Sequence, residues 1–384
     1  MYPLTDEEQL LQAAARDFAQ KAIAPVAAEI DREDAFPVAL VQEMGALGWM
    51  GMLIPRDHGG SDVSALSYVL AIEEFARASG SVSLIVTAHN SLATWPIATF
   101  GSAAQKSRYL PALASGQVIG AYSLTEPNAG SDAASLQTRA RREGNSYLIS
   151  GRKAFVTSGD VAGLTVLFAR TSDAPGARGV SAFLVERGLQ GLNVGKPLDK
   201  MGMHGSTTVE LVLEDCRVPA ENVLGAEGEG FKIAMSVLDG GRLGIAAQAV
   251  GIAQAALDAA LGYVRVREQF GRAIGQFQGV RWMLAEIHAR VQAARLLTYH
   301  AARLKDRGES VTLAAATAKW QSSEAAVFAA EKAIQLHGGY GYIRETGVER
   351  LLRDAKITEI YEGTSEIQRI VISRQLLPDL PEAR

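Results

Sequence analysis

The stretch from Leu243 to Val264 carries a single charge, Asp258, over a length sufficient to cross a bilayer. Ala and Gly dominate it rather than Leu, Ile and Phe. Gln248 and Gln254 interrupt it, and Arg265 and Arg267 follow at once. A helix that is apolar nearly all round, with this composition, belongs in the centre of a helical bundle or at a subunit interface, so no membrane span is expected. The remaining segments must supply what surrounds it.

Residues 1–118 read as an N-terminal helical domain, with Leu10, Leu11, Ala14 and Phe18 on one face and Leu66, Val69, Leu70 and Phe75 on another. The chain opens Met1-Tyr2-Pro3-Leu4-Thr5-Asp6-Glu7-Glu8, an acidic, capped helix start rather than a signal or Arg-rich transit peptide. A cytoplasmic protein of bacterial type is expected, or a mitochondrial matrix protein only if a transit peptide has been removed. Residues 119–225 change to short β-rich runs at 147–149, 154–157, 164–168, 180–185 and 207–213, separated by glycines and polar residues. That spacing suggests a small antiparallel barrel or sandwich. Residues 226–384 return to the helical period through Met283, Ile287, Val291 and Ala294, then Ala314 to Leu336, with Gly338-Gly339 as a C-cap. Thr346 with Glu349, and Ser365 with Gln368, have capping-box spacing. The fold class is α+β, mainly α, in the order helices, strands, helices.

With 38 basic against 42 acidic residues, no global positive field exists to hold nucleic acid or an anionic membrane. Cys216 is the only cysteine, which excludes intramolecular disulfides and Cys-cluster metal sites. The six histidines show no metal-binding spacing, so no metal is expected, and no serine sits in a nucleophile-elbow context. Gly225-Ala226-Glu227-Gly228-Glu229-Gly230 lacks the strand that a dinucleotide fingerprint requires and reads as a hinge between domains.

Two segments carry chemistry. In Ile360-Tyr361-Glu362-Gly363-Thr364-Ser365 a lone carboxylate stands before an apolar helical run. Glu362 is either a general base, its pKa raised by burial beside Tyr361 and Ile360, or an anion decorating a helix start. In Tyr122-Ser123-Leu124-Thr125-Glu126-Pro127-Asn128-Ala129-Gly130-Ser131-Asp132 a strand ends in a turn crowded with hydroxyls and backbone donors. It could cradle a flavin or phosphate, or simply turn the chain between domains.

Together with 155–157, Leu238-Asp239-Gly240-Gly241-Arg242, Arg265 to Gly271, Gln335 to Gly341 and Tyr361 to Glu366, these segments resemble the acyl-CoA dehydrogenase family, in the family's order and over nearly the whole chain. The resemblance implies an N-terminal helical domain, a middle β-barrel domain and a C-terminal four-helix bundle, assembled as a homotetramer with one FAD per subunit. It implies that Tyr122, Leu124 and Thr125 line the flavin, with Phe155 and Thr157 on its other side, and that Ser131 reaches the cofactor site and the CoA portion of the substrate. Arg267, Phe270 and Gln278 would meet FAD from a neighbouring subunit, Gln335, Gly338 and Gly339 its adenine side, and Thr364 and Glu366 the helix start facing it. Asp239, Arg242, Tyr361 and Gly363 would contact substrate. Glu362 matches the catalytic base, which takes the α-proton of an acyl-CoA thioester while the β-hydrogen leaves as hydride to the flavin. The product would be a trans-2-enoyl-CoA, with electrons passing to electron-transferring flavoprotein.

Some members carry the base at the position of Gly241; by resemblance, Gly241 together with Glu362 implies the straight-chain and short-branched type rather than the isovaleryl type, and the C-terminal third is most similar to short-chain members. Phe155 stands where many members have tryptophan, and His204 where arginine is expected. An acyl-CoA oxidase or flavin monooxygenase on the same scaffold, and a non-catalytic acyl-CoA-binding protein, are the alternatives.

Overall fold

A computed structural model describes residues 3–380, so Met1 and Tyr2 of the acidic N-terminal stretch, and residues 381–384, lie outside the described residues. Thr5 starts the first helix through a full capping box: Glu8 N–H donates to Thr5 Oγ1 (3.3 Å) and Thr5 N–H to Glu8 Oε2 (2.9 Å). The helices that follow are α1 (Asp6–Phe18), α2 (Ala27–Glu33), α3 (Val38–Ala46), α4 (Ala65–Ala78), α5 (Gly80–Thr87), α6 (Trp95–Phe100) and α7 (Ala103–Ala114). The inward face of α1 differs from the expected one. Glu8 is buried against Arg303 (2.5 Å), which turns Ala15 and Phe18 inward and leaves Leu10 and Ala14 exposed.

Eight strands make one sheet: β1 (Gly120–Ser123), β2 (Arg139–Glu143), β3 (Ser146–Thr157), β4 (Leu164–Arg170), β5 (Val180–Glu186), β6 (Leu192–Val194), β7 (Thr208–Pro219) and β8 (Val223–Leu224), in the order β6-β7-β3-β2-β4-β5-β8. The runs at 147–149 and 154–157 are one strand, bent by irregularities after Ile149 and Lys153. Most pairings are antiparallel, as the spacing of the short runs predicts, but β1 joins β4 in parallel, and β2 touches β4 in parallel. His89 fixes the start of β1. It accepts from Gly120 N–H at Nδ1 (3.0 Å) and faces the Leu113 carbonyl at Nε2 (3.0 Å), while burial lowers its pKa to about 4 and keeps it neutral.

Beyond the sheet run α8 (Gly230–Val266), α9 (Gln278–Asp306), α10 (Thr312–His337), α11 (Val348–Ile357) and α12 (Ser365–Leu376). The glycine-rich connection ahead of α8 is pinned by Gly228 N–H on Ser181 Oγ (2.8 Å). By length and composition α8 could cross a membrane, yet 78% of its most apolar window is buried inside the protein. It packs against α4, α9 and α10 at the centre of the molecule. Its small residues are a packing requirement: a Cβ on Gly251 would overlap the Glu73 carbonyl oxygen and meet Ala76 Cβ at 2.7 Å. Glu73 in turn pairs with Arg295 (2.8 Å), tying α4 to α9.

Thr346 and Glu349 do not form the expected capping box. Gly347 is the N-cap of α11, Thr346 Oγ1 donates to the Tyr340 and Ile343 carbonyls, and Glu349 pairs with Arg353. Arg353 also binds Asp31 of α2 (2.5 Å), and His204 joins this cluster. Its two ring nitrogens face the carbonyls of Asp31 (2.9 Å) and Lys200 (2.8 Å), an arrangement that only the imidazolium satisfies at both ends. Burial opposes that charge, but the Lys200 and Asp31 carbonyls and the Asp34 and Asp31 carboxylates outweigh it and raise the pKa. Where an arginine is expected, the cation is thus supplied by a histidine that titrates. Because the folded pKa is raised, the stabilisation is complete below about pH 6.5 and is lost as pH rises through the folded value. His204→Gln should therefore lose about 1–2 kcal/mol at pH 6 and far less at pH 9, read from urea midpoints at both pH values. Equal losses at the two pH values would show that packing alone is involved.

Candidate functional site

After α11 the chain folds back on itself: Tyr361 N–H donates to the Ile357 carbonyl (3.1 Å), and Ser365 N–H to that of Glu359 (2.9 Å). Between them Glu362 has a left-handed φ of +53° and Gly363 one of +93°. The first costs a non-glycine residue about 1–2 kcal/mol, so the turn needs bracing. Gln368 Nε2 supplies part of it, donating to the carbonyls of Glu362 (3.2 Å) and Gly363 (2.8 Å), and Lys319 Nζ supplies the rest on Gly363 O (2.7 Å). The capping box read at Ser365 is displaced by one residue. Thr364 is the N-cap, accepting from Ile367 N–H (3.3 Å), and Ser365 is the first helical residue. Gln368 reaches the turn carbonyls instead of a cap N–H. Tyr361 is anchored beneath the turn by its hydroxyl on Gln248 Oε1.

The Glu362 carboxylate lies against α8 at Gly241. A Cβ there would overlap Glu362 Oε2 and meet Leu92 Cδ2 at 2.9 Å. Leu92 comes from a π-helical segment, Ala88–Thr94, a distortion common at functional sites. Oε2 is buried without a hydrogen-bond partner. Burial raises the carboxyl to about 7, against the pull of the Lys319 and Arg242 charges. A carboxylate so placed is suited to accept a proton near neutral pH.

Arg242, read as a contact for the CoA arm, is buried beside this carboxylate, with Nη1 on Asp239 Oδ1 (2.5 Å) and Nε without a partner. Asp239 is half-buried and also accepts from Thr312 Oγ1 (2.9 Å).

The β-domain turn meets the same place. The Tyr122 hydroxyl is buried without a partner, and burial, then the Glu362 charge, holds it protonated. Leu124 O accepts from Lys153 Nζ (3.1 Å) and Thr125 O from Ala154 N–H (2.9 Å). Lys153, fully buried, pairs with Glu126 (2.8 Å), which also accepts from the Gln137 and Thr138 amides. That buried ion pair, destabilising to break by about 3–5 kcal/mol, holds the turn in one shape. Phe155 sits on the β3 irregularity with φ of +55° and is 68% exposed; Thr157 is half-buried at the strand end. Ser131 is exposed at the far side of the turn, and Thr364 and Glu366 lie at the α12 start.

The remaining expected residues are elsewhere. Arg267, Gln335, Gly338 and Gly339 line an open groove of about 410 Å³, with Arg267 over the Tyr340 ring. Phe270, 93% exposed, tips a short hairpin beside it, and exposed Gln278 begins α9. Gly241 and Arg267, the C-cap of α8, are 26 positions apart, about 39 Å at 1.5 Å per residue. No single dinucleotide spans that length. The two groups lie toward opposite ends of α8.

Lys319, Lys153 and Leu92 escaped the sequence reading. A lone lysine among Ala315, Ala316, Ala318, Ser322 and Ser323, or at an inward position of a strand, was the available signal.

The models of the acyl-CoA dehydrogenase N-terminal, middle and C-terminal domains match residues 5–117, 121–216 and 228–377. The chain belongs to the acyl-CoA dehydrogenase family. Within that family it is 48% identical to the short-chain specific acyl-CoA dehydrogenase of Clostridium acetobutylicum, over 98% of this chain and 99% of that one. Butyryl-CoA dehydrogenase from Megasphaera elsdenii superposes with a TM-score of 0.96 at 44% identity, covering 98% of this chain and 100% of that one. A chain solved in work on the electron transferring flavoprotein of Acidaminococcus fermentans and flavin-based electron bifurcation superposes with a TM-score of 0.97 at 46% identity, covering 99% and 100%. The family's helix, sheet, helix order is the one described above.

Proposed function

We propose that this chain is an FAD-dependent dehydrogenase that converts short or short-branched acyl-CoA thioesters to trans-2-enoyl-CoA and passes the electrons to an electron-transferring flavoprotein. The observation that carries this is the Glu362 carboxylate, seated on Gly241 with its buried Oε2 free of hydrogen bonds and close enough for its charge to act on the buried Tyr122 hydroxyl. The residues present fit the cofactor. Buried polar atoms left without partners, Tyr122 Oη and Arg242 Nε among them, flank the base, and buried groups of this kind ordinarily have partners.

Tyr122, Leu124, Thr125, Phe155 and Thr157 would hold the flavin from the β-domain, with Thr364 and Glu366 at the facing helix start. Arg267, Phe270 and Gln278 would hold the pyrophosphate end of a neighbouring subunit's FAD, and Gln335, Gly338 and Gly339 its adenine side. The 39 Å separation along α8 supports a site shared between subunits, here a homotetramer. FAD, when bound, supplies the acceptor for the hydride from the β-carbon. Glu362 takes the α-proton, and its backbone N–H is the proposed donor to the thioester oxygen as negative charge develops there. Lys319 and Arg242 keep the base partly ionised despite burial. Ser131 and Asp239 would lie on the CoA side. The bacterial relatives support a cytoplasmic setting.

Anaerobic titration of the flavin absorbance with acyl-CoAs of graded length tests the substrate class. Butyryl-CoA should bleach the flavin more completely, and at lower concentration, than octanoyl- or palmitoyl-CoA. Bleaching by long chains alone would overturn the short-chain reading, and fast air reoxidation of the reduced, product-bound protein would identify an oxidase.

A further inference from the structure

Lys319 lies on α10, fully buried, at a distance from solvent where an ammonium is normally matched to a carboxylate. Lys153 meets that expectation through Glu126 at 2.8 Å. Lys319 does not: its hydrogen bond goes to a backbone carbonyl, Gly363 O at 2.7 Å, one residue past Glu362. Glu362 Oε2 meanwhile keeps no hydrogen bond at all.

We propose that Lys319 is a positioning residue for the base, bracing the two consecutive left-handed residues of its turn and supplying positive charge to Glu362 without capping its carboxylate. The proposal rests on the reading of Glu362 as base. A lysine bonded directly to the carboxylate would compete with the substrate's α-proton for its lone pair. Held one residue away, it supplies field and leaves the oxygen available. Glu362 and Gly363 have φ of +53° and +93°, a pair that local preference does not maintain, and the Gly363 carbonyl is where both Lys319 and Gln368 take hold. The other charges facing Lys319 are Arg242, Glu359 and Glu366.

Two variants of the holoenzyme separate bond from charge. Lys319→Gln keeps a donor for Gly363 O and removes the charge; Lys319→Met removes both. Infrared titration of the protonated carboxyl band, assigned by its loss in Glu362→Gln, should show Glu362 titrating about one pH unit higher in both variants, because a favourable charge is gone. The acid limb of kcat/KM should move with it. At its pH plateau kcat should fall roughly 30-fold in Lys319→Met and less in Lys319→Gln, with KM and bound FAD little changed. An unshifted Glu362 band in both variants, or kcat within twofold of wild type, overturns the proposal. So does failure of Lys319→Gln to fold, which would make the lysine a structural residue. Undiminished flavin bleaching by Glu362→Gln would instead remove the base assignment, and the infrared shift would still report on the lysine's charge.

Discussion

Glu362→Gln should leave the protein yellow and folded, and acyl-CoA should no longer bleach it. The amide has the size of the carboxylate but accepts no proton, and nothing nearby substitutes for it. Burial holds the Tyr122 and Tyr361 hydroxyls protonated, and Lys319, although burial lowers it to about 8, is still mostly protonated at pH 7, where Glu362 ionises. Loss of a positioned base accounts for about 10²–10⁴-fold in rate, and here the lower end would require a second base that the site does not contain. Stopped-flow absorbance under anaerobic conditions reads the reductive half-reaction directly. The wild-type rate should rise with pH through about 7, where the carboxyl ionises, and level off above it. Bleaching at wild-type speed by the glutamine variant would sink the assignment.

Gly241→Ala should lose about 100-fold in kcat/KM while remaining as stable as the parent, or nearly so. The added methyl would occupy the position of Glu362 Oε2 and press on Leu92 Cδ2, so the base must leave its place. A displacement on the order of 1 Å is enough for that loss. Stability responds differently, because alanine is favoured over glycine in a helix interior by about 1 kcal/mol, which offsets much of the local strain. Gly262→Ala provides the control on the same helix. Open space surrounds that position, and the substitution should stabilise without touching activity. Equal activity of the two variants would separate Gly241 from the base.

The order of helices, strands and helices was legible because α8 is apolar over a length that only a surrounding bundle can bury, and because β4 and β5 are short, fully buried apolar runs while β7 alternates in part. Strand β2, Arg-Ala-Arg-Arg-Glu, was invisible: Ala140 is its only buried residue and four charges surround it. Leu10 misled because amphipathic spacing assumes that the charged face is the wet one, whereas Arg303 draws Glu8 inward. At the site, the carboxylate and its glycine partner could be nominated from residue type, but the cap could not be placed. Thr364 to Ile367 and Ser365 to Gln368 have the same spacing, and only the extended backbone at Thr364 chooses between them. The lysines were missed for a related reason. A buried ammonium depends on acceptors distant in sequence: Leu124 and Glu126 for Lys153, Gly363 for Lys319.

The left-handed backbone of Glu362 has an evolutionary consequence. Glycine at this position would relieve the conformational strain and delete the partnerless oxygen in one step, so both local preference and burial run against the residue the chemistry requires. A lineage released from selection for proton abstraction would drift downhill here first, keeping its fold and its surfaces. Where the position of Gly241 is also glycine, the identity of this single residue would therefore separate working descendants of the scaffold from those retained only for binding.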